Sequence, residues 1–247
     1  MPSEVRLIEI VGVAGAGKST LAQTLLARHP EWRLADFIHA RDPGHWRYFV
    51  HSFPGVGRLV AHAFRRPRVS WDEVKLYVYA SEWHRYLRAR PGQHSAVTLL
   101  DQGPLFALAC LLWGASAVVS TPWFRSWKRE TAARWAQELD VVVELTAPDD
   151  VLLARINERE RWHAARGTSR REAMEILGAH RRSYSEVLAD VQRSGGVRLL
   201  RLDTSDRRPE ALADELSSVL SPEFSWALDG AASDAQRSRG TARADVA

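Results

Sequence analysis

A glycine-rich segment near the amino terminus has the residue types and spacing needed to bind phosphate. Residues 12–20, with the sequence GVAGAGKST, match the pattern G-x-x-x-x-G-K-[ST] between a predicted strand and a predicted helix. Glycines let successive backbone N–H groups point at phosphate oxygens, and the helix that follows adds the positive end of its dipole. Lys18 can reach the β- and γ-phosphates, and the Ser19 hydroxyl can bind Mg²⁺. The segment predicts a site for ATP and Mg²⁺ formed by Gly12, Gly15, Ala16, Gly17, Lys18, Ser19 and Thr20.

A second candidate residue, Asp101, ends an apolar run. Residues 96–100 are apolar apart from one threonine and predict a buried strand, which Asp101 follows directly. In an open parallel sheet, ligands bind at the carboxyl ends of the strands. A carboxylate there can orient or deprotonate an acceptor hydroxyl, or bind Mg²⁺ through water. The alternative is an aspartate that only starts the turn before Gly103 and Pro104.

Arginines are concentrated after the fourth predicted strand. Phosphoryl transfer spreads negative charge over several oxygens, and guanidinium groups on a closing loop neutralise that charge. Arg155 and Arg159 are therefore candidate catalytic residues, and the Gly-Thr-Ser sequence at 167–169 predicts a lid over about residues 157–170. Solvated ion pairs with Glu158 and Glu160 are the alternative. The arginines of this stretch are Arg155, Arg159, Arg161, Arg166, Arg170 and Arg171.

Alternating strands and helices would position these residues. Predicted strands cover 6–11, 34–40, 96–100, 141–145 and 197–202. Predicted helices cover 18–29, 45–64, 71–90, 105–113, 122–138, 148–160, 171–193 and 209–220. This alternation implies a mostly parallel sheet covered by helices on both faces. One domain is expected over 1–220, followed by a tail over 221–247 that is predicted to be disordered at least from about residue 232.

Composition limits the classes of protein. A chain of 247 residues can bury one large core with a small lid. No apolar run approaches the roughly 18 residues of a membrane span, and the single cysteine, Cys110, allows no internal disulfide. A cytoplasmic protein without membrane attachment is expected. The net charge of +4 fits a protein that binds polyanions such as nucleotides. Nucleic acid is not expected as a partner, because the arginine excess alone does not indicate it.

The order of the motifs resembles the thymidylate kinase-like branch of the P-loop nucleoside and nucleotide kinases, over roughly residues 5 to 220. The resemblance implies an α/β fold, a three-layer P-loop kinase with a five-stranded parallel sheet, a helical acceptor region and an arginine-bearing lid. It also implies ATP and Mg²⁺ as cofactors. The matching segments are residues 12–20, Arg41-Asp42-Pro43-Gly44, Ala80-Ser81-Glu82, Asp101, the arginines of the lid, and Asp203-Thr204-Ser205.

The resemblance also implies where the two substrates bind. The acceptor would bind between Arg41, Asp101 and the predicted helix over 71–90, which carries Glu82 and Trp83. Asp203, Thr204 and Ser205 would flank the adenine, which is read largely through the backbone.

The chain departs from this family at two positions that concern the acceptor. Members with a monophosphate acceptor tend to have Asp-Arg-Tyr at the strand end, where this chain has Asp-Gln-Gly at 101–103. They also tend to have an arginine after the acidic residue of the preceding helix, where Trp83 follows Glu82. A guanidinium binds phosphate bidentately and an indole does not. Arg41 and Arg85 are candidate replacements, and an acceptor without phosphate is the other interpretation.

The sequence thus predicts an ATP-dependent phosphotransferase that acts on a nucleoside, a nucleotide or another hydroxylated metabolite. A GTPase is not expected, because the chain has no N-K-x-D pattern. The alternative is a regulatory or assembly protein that uses ATP as a conformational signal, with its tryptophan-rich half as a partner surface. A nucleic-acid end kinase is a weaker alternative, and the sequence leaves a homodimer open.

Overall fold

One parallel sheet of five strands forms the centre of the fold. The computed structural model describes residues 6–63, 70–89, 97–114, 119–158 and 163–220. The strands of this part have the order β2-β3-β1-β4-β5, and all neighbouring pairs are parallel. They are β1 (Arg6–Val11), β2 (Arg33–Leu34), β3 (Val97–Asp101), β4 (Val141–Thr146) and β5 (Arg198–Asp203). The predicted five-stranded parallel sheet is confirmed.

Helices cover the sheet in two groups. Helices α1 and α9 pack together, whereas α4, α5, α6 and α8 pack against one another. The α-helices of the described part are α1 (Lys18–Arg28), α2 (Trp46–His51), α3 (Phe53–Ala63), α4 (Trp71–Arg88), α5 (Pro104–Trp113), α6 (Pro122–Glu138), α7 (Asp149–Glu158), α8 (Arg170–Ser194) and α9 (Pro209–Leu220). Within the same residues, none of the helices is long and apolar enough to span a bilayer.

Side-chain caps fix the starts of the helices around the site. Ser70 and Glu73 form a reciprocal capping box at α4, and Ser169 and Glu172 do the same at α8. Thr121 caps α6, and its hydroxyl accepts the Phe124 N–H at 3.2 Å. These starts agree with the sequence prediction to within one residue, because each cap is a local pattern.

The register of the central strands brings two predicted site segments to one edge of the sheet. In the β1–β3 pair, Ile10 lies opposite Asp101, and in the β1–β4 pair Val11 lies opposite Glu144. The chain leaves β1 at Val11 and β3 at Asp101. Since the strands are parallel, the glycine-rich segment and Asp101 both follow the carboxyl edge, where ligands bind in such sheets.

The second strand is shorter than predicted. A strand was expected over 34–40, but β2 has two residues, and the Ala35 N–H then donates to the Leu99 carbonyl at 2.8 Å. Side chains from elsewhere bind the backbone beyond this point. The Trp83 indole N–H donates to the Asp36 carbonyl at 3.1 Å, and the His39 N–H donates to His45 Nδ1 at 2.9 Å. Beyond Ala35, these tertiary contacts replace the hydrogen bonds between neighbouring strands.

The predicted helix over 45–64 is divided into α2 and α3. The division falls at Ser52, which ends α2 before Phe53 and Pro54 begin α3. Proline lacks the N–H that a continuous helix would need, and it is tolerated in the first turn of a new one. A single continuous helix was therefore the wrong prediction for this stretch.

Candidate functional site

The glycine loop, defined as residues 12–17, connects β1 to α1 by a route that only glycine allows. Gly12, Gly15 and Gly17 have φ angles of 143°, 86° and 91°, which side-chain-bearing residues rarely adopt. A Cβ atom on Gly12 would lie 2.5 Å from the Leu145 carbonyl oxygen. A Cβ atom on Gly15 would lie 2.7 Å from the Leu152 carbonyl oxygen. The loop thus packs directly on the backbone of β4 and α7.

The start of α1 presents groups that attract anions. Gly17 is the N-cap and supplies no side-chain hydrogen bond, and the first turn of α1 carries no acidic residue. The first amides of the helix therefore keep their capacity to bind an anion. The Lys18 ammonium donates to the carbonyls of Gly12 at 2.7 Å and Val13 at 3.1 Å. Ser19 and Thr20 are exposed in the same turn.

Two cavities adjoin the glycine loop. The α9 cavity has a volume of about 170 Å³, and the α5 cavity has a volume of about 230 Å³. Both are lined by Gly15 and Gly17. The α9 cavity is lined by Gly15, Ala16, Gly17, Thr20, Leu21, Leu145, Arg155, Thr204, Arg207, Pro209 and Leu212. The α5 cavity is lined by Ala14, Gly15, Gly17, Lys18, Ser19, Gln102, Phe106, Cys110, Trp113, Ile156, His163 and His180.

Arg155 fixes the loop after β5 against the α9 cavity. Its guanidinium donates to Thr204 Oγ1 at 3.0 Å, to the Thr204 carbonyl at 2.6 Å and to the Ser205 carbonyl at 3.1 Å. Asp203 Oδ1 accepts the Ser205 N–H at 2.8 Å, and the hydrogen bonds from Ser205 lower the pKa of the Asp203 carboxyl. The residues predicted to flank the adenine are thus ordered beside Gly15.

Of the predicted catalytic arginines, one can be placed. Arg155 lines the α9 cavity rather than the α5 cavity. Arg159 lies outside the described residues, as do Arg161 and the tail over 221–247. Residues 163–168 of the predicted lid form turns before α8 begins. The catalytic roles of Arg155 and Arg159 remain predictions.

Asp101 ends β3 with part of its carboxylate unpaired. Its Oδ1 atom is buried and has no hydrogen-bond partner in the described part of the chain. The next residue, Gln102, has a φ of 66°, which a residue with a side chain seldom adopts outside functional turns. Gly103 follows against the Glu9 carboxyl, where an added Cβ would lie 2.5 Å from Cδ. The turn after β3 is therefore tightly fixed by its neighbours.

Glu9 is a site residue that the sequence reasoning missed. It is fully buried on β1, and its carboxylate accepts the N–H groups of Leu105 at 3.1 Å and Phe106 at 3.0 Å. Its two carboxyl oxygens thus cap the start of α5 from a neighbouring strand. Burial raises the pKa of Glu9 to about 8, and the two backbone amides oppose this shift. The signal in the sequence was an acidic residue inside an otherwise apolar strand, which indicates a buried polar contact.

We expect the free energy of unfolding to fall as the pH rises from about 4.5 to about 8 because of Glu9. In the unfolded chain the carboxyl loses its proton near its ordinary pKa, whereas the folded chain keeps the proton to about pH 8. The unfolded state therefore binds fewer protons in this interval and is increasingly favoured. Glu9→Gln should remove on the order of 3 kcal/mol of this pH dependence.

Urea unfolding at about pH 5 and about pH 8 measures the effect of Glu9→Gln. Glu210→Gln makes the same change at an exposed position on α9 and should leave the pH dependence as it is in the wild type. An equal change of unfolding free energy with pH in wild type and Glu9→Gln would contradict the assignment.

Two further buried side chains near the site, Cys110 and Tyr184, stay protonated at neutral pH. Burial raises the pKa of the Cys110 thiol to about 12, which keeps it a neutral wall residue of the α5 cavity. Burial, followed by the nearby Cys110 and Glu9, raises the pKa of Tyr184 well above its ordinary value. Neither group supplies an anion at neutral pH.

The predicted acceptor contacts Arg41, Glu82 and Trp83 are not among the described residues that line the α5 cavity. Arg41 is exposed in a turn where Asp42 Oδ1 accepts the Gly44 N–H at 2.8 Å. Glu82 is buried with Oε1 at 3.1 Å from His51 Nδ1. Trp83 is buried in the core, where it holds Asp36. The roles of Arg41, Glu82 and Trp83 toward an acceptor remain predictions.

The site residues have the chemistry of a Mg²⁺ site that is completed by a nucleotide. Within the described residues, no group of three or more His, Cys, Asp and Glu side chains could hold a metal ion by itself. Mg²⁺ commonly binds one or two protein oxygens together with phosphate oxygens and water. The exposed Ser19 hydroxyl and the unpaired Asp101 Oδ1 are oxygen atoms of the type that Mg²⁺ binds, and their roles as ligands remain predictions.

Solved kinase structures align with nearly the whole fold. The deoxyadenosine kinase from M. mycoides with bound dATP is 14% identical, with a TM-score of 0.50, over 86% of this chain and 98% of that chain. The thymidylate kinase from Candida albicans is 15% identical, with a TM-score of 0.54, over 87% of this chain and 90% of that chain. This chain has the P-loop nucleotide kinase fold.

The shared fold confirms the α/β P-loop kinase fold with a five-stranded parallel sheet that the order of motifs predicted. No protein-family model and no curated protein matches the chain. The fold is thus shared with these two kinases at a sequence identity of only 14% and 15%. The chemistry is therefore argued from the residues of this chain.

Proposed function

We propose that this protein is an ATP-dependent phosphotransferase, which transfers the γ-phosphoryl group of ATP to a hydroxyl of a small-molecule acceptor. The acceptor is a nucleoside, a nucleotide or another hydroxylated metabolite. The observation that carries the proposal is the position of the glycine loop, because Gly15 and Gly17 line both cavities. A triphosphate on this loop would have its base on one side and its reacting phosphate on the other.

The α9 cavity supports binding of the nucleoside part of ATP. Leu21, Leu145 and Leu212 provide apolar surface for a base. Arg155 holds the loop at 203–205 in place through three hydrogen bonds to Thr204 and Ser205, so that this wall is formed before ATP arrives. Preorganisation of this kind lowers the entropic cost of binding.

The glycine loop supports binding of the triphosphate. Backbone N–H groups of residues 15–19 and the Lys18 ammonium would bind the phosphate oxygens. The Ser19 hydroxyl would hold the Mg²⁺ that accompanies ATP, and Asp101 would contact this ion through water. The ion would supply neutralisation of phosphate charge. These groups act mainly by positioning and by electrostatic stabilisation of the transferring group.

Asp101 would orient the acceptor hydroxyl and receive its proton. The acceptor oxygen forms a bond to the γ-phosphorus, the bond between this phosphorus and the β-phosphate bridging oxygen breaks, and ADP leaves. The buried, unpaired Oδ1 of Asp101 supplies a hydrogen-bond acceptor for that hydroxyl. The fixed turn of Gln102 and Gly103 supports a defined position for the carboxylate.

A regulatory or assembly ATPase is the rival function, and it is not favoured. Such a protein has no need of a cavity beside the strand that ends at Asp101. The α5 cavity, lined by the adjacent Gln102 and by the aromatic residues Phe106 and Trp113, has the largely apolar lining with a few polar groups that is typical of a small-molecule site.

Turnover over a panel of acceptors tests the proposed function. ADP release would be followed with ATP and Mg²⁺ alone and then with deoxyadenosine, thymidine, deoxycytidine and their 5′-monophosphates. We expect at least one acceptor to raise ADP release by about tenfold or more over the rate without acceptor, because a bound acceptor holds its hydroxyl in position for transfer and free water is not held in this way. Phosphorus NMR would identify the phosphorylated product. ADP release that stays constant with every acceptor would contradict the proposal.

A further inference from the structure

His180 of α8 is a buried histidine that lines the α5 cavity and has no hydrogen-bond partner in the described part of the chain. Its residue exposure is 5%, and both Nδ1 and Nε2 are unpaired. Leaving a buried polar group unpaired costs about 1–3 kcal/mol. We propose that His180 hydrogen-bonds the acceptor in the α5 cavity and selects an acceptor that carries no phosphate. This inference rests on the phosphotransferase function proposed above.

Aromatic neighbours hold the ring of His180 in a fixed plane. Trp113 stacks on it with ring centroids 5.0 Å apart and planes 21° apart. Tyr184 lies 5.2 Å away with its plane tilted by 30°. Since these contacts use the faces of the imidazole, a hydrogen-bond partner must approach the ring through its edge. The α5 cavity is the space that can deliver such a partner.

The charge state of His180 determines which partner fits. Burial, followed by the nearby Lys18 and His163, lowers its pKa to about 4. Burial and Lys18 also lower the pKa of His163, the other histidine of the cavity. A neutral imidazole has one donor nitrogen and one acceptor nitrogen. It therefore matches a hydroxyl or an amide edge, each of which can donate as well as accept, whereas a phosphate dianion offers only acceptor oxygens and would leave the acceptor nitrogen of the ring unpaired.

The other lining residues favour the same class of acceptor. Among the described residues that line the α5 cavity, Lys18 is the only lysine or arginine. Its ammonium already contacts the glycine loop. A phosphate-bearing acceptor needs a cation of its own, usually a guanidinium. Phe106 and Trp113 instead present aromatic surface to the cavity. The described lining thus suits a flat, uncharged compound with a hydroxyl, such as a nucleoside.

His180→Phe tests the contact, since it keeps an aromatic ring beside Trp113 and removes both nitrogens. We expect the KM for thymidine or deoxyadenosine to rise about tenfold or more, and the Kd of ATP to stay within about twofold by calorimetry. His84→Phe is the matched control. His84 is a half-buried histidine of α4 that packs edge-on against Trp135 and is outside the cavity lining, so neither constant should change.

Paired acceptors test the selection against phosphate. With ATP and Mg²⁺ fixed, kcat/KM is compared between thymidine and dTMP and between deoxyadenosine and dAMP. We expect the nucleoside of a pair to be preferred by about tenfold or more. Preference for the monophosphates would overturn the inference while leaving the phosphotransferase function in place. ADP release that no acceptor stimulates would instead reject the function itself.

A titration of the wild-type protein tests the contact without turnover. Ring-nitrogen NMR signals of His180, assigned by their absence from His180→Gln, are recorded while thymidine or deoxyadenosine is added to the protein with ADP and Mg²⁺. We expect the His180 signals to shift and those of His84 to stay. Signals of His180 that stay unchanged with every nucleoside tested would overturn the proposal, because a purely structural histidine would give that result.

Discussion

Lys18→Met is expected to weaken ATP binding by roughly tenfold to a hundredfold and to lower kcat by about a hundredfold or more. A hydrogen bond between an ammonium and a phosphate oxygen contributes about 1.5–3 kcal/mol. Methionine keeps an unbranched side chain of similar length, so the variant removes the charge with little change in packing. The larger effect on kcat is expected because negative charge on the transferring group must be stabilised as the bond to ADP breaks.

Lys18→Met also has an effect on the protein without nucleotide. The Lys18 ammonium donates to the carbonyls of Gly12 and Val13, and a methionine cannot make these bonds. Thermal unfolding of Lys18→Met without nucleotide measures this contribution, which should amount to about 1–2 kcal/mol. Stability and ATP affinity are measured separately, because losing these two bonds destabilises the unbound protein and does not by itself weaken ATP binding.

Calorimetry with ATP and Mg²⁺ gives the affinity, and ADP release with the best acceptor gives kcat. Lys75→Met is the matched control, because Lys75 pairs with Asp72 on α4 and is absent from the lining of both cavities. It should bind and turn over ATP like the wild type. Unchanged ATP affinity in Lys18→Met would place the triphosphate somewhere other than the glycine loop, and the proposed function would fail with it.

Local patterns accounted for most of the fold. Three local features identified the loop at 12–17: it follows an apolar strand, it has glycine at fixed intervals, and a lysine begins the helix after it. The φ angles and close contacts of this loop require glycine. The five strands and the starts of α4, α6 and α8 are likewise determined by residues close together in the sequence. Such features are predictable because their causes act over a few residues.

Tertiary contacts determined what the sequence did not predict. The short β2 depends on Trp83, which binds a backbone carbonyl 47 residues away in the chain. Lysine side chains are seldom fully buried unless they are paired. Lys128 is buried, and it pairs with Asp190 at 2.9 Å across the contact of α6 with α8. In each case the partner is known only once distant elements are packed together.

The two residues most informative about the site left weak signals in the sequence. Glu9 interrupts an apolar strand, and His180 occupies a position on the buried face of α8 between Leu177 and Tyr184. A polar residue where periodicity predicts an apolar one indicates a buried polar contact. Periodicity does not identify the partner, which for Glu9 is the start of α5 and for His180 is proposed to be the acceptor.

Asp101→Asn is expected to lower kcat by about a hundredfold to ten-thousandfold while the Kd of ATP changes by no more than about threefold. Asparagine preserves the volume of the side chain and removes the carboxylate that would take the acceptor's proton. Its effect should be large because Asp101 Oδ1 is buried and unpaired, and because Gln102 and Gly103 hold the turn that positions it. A weaker binding site for ATP would not explain a loss confined to kcat.

Measurements of kcat at increasing Mg²⁺ separate the two ways in which Asp101 could act. If Asp101 acts on the acceptor hydroxyl, kcat of Asp101→Asn stays low at every Mg²⁺ concentration, and half-saturation by Mg²⁺ is unchanged. If Asp101 holds Mg²⁺, the variant needs more Mg²⁺ and recovers part of kcat. Asp150→Asn makes the same change at an exposed position in the first turn of α7 and should behave like the wild type. A kcat of Asp101→Asn within about threefold of the wild type would leave Asp101 as a turn residue only, because a carboxylate that orients or deprotonates the reacting hydroxyl cannot be replaced by an amide without a larger loss.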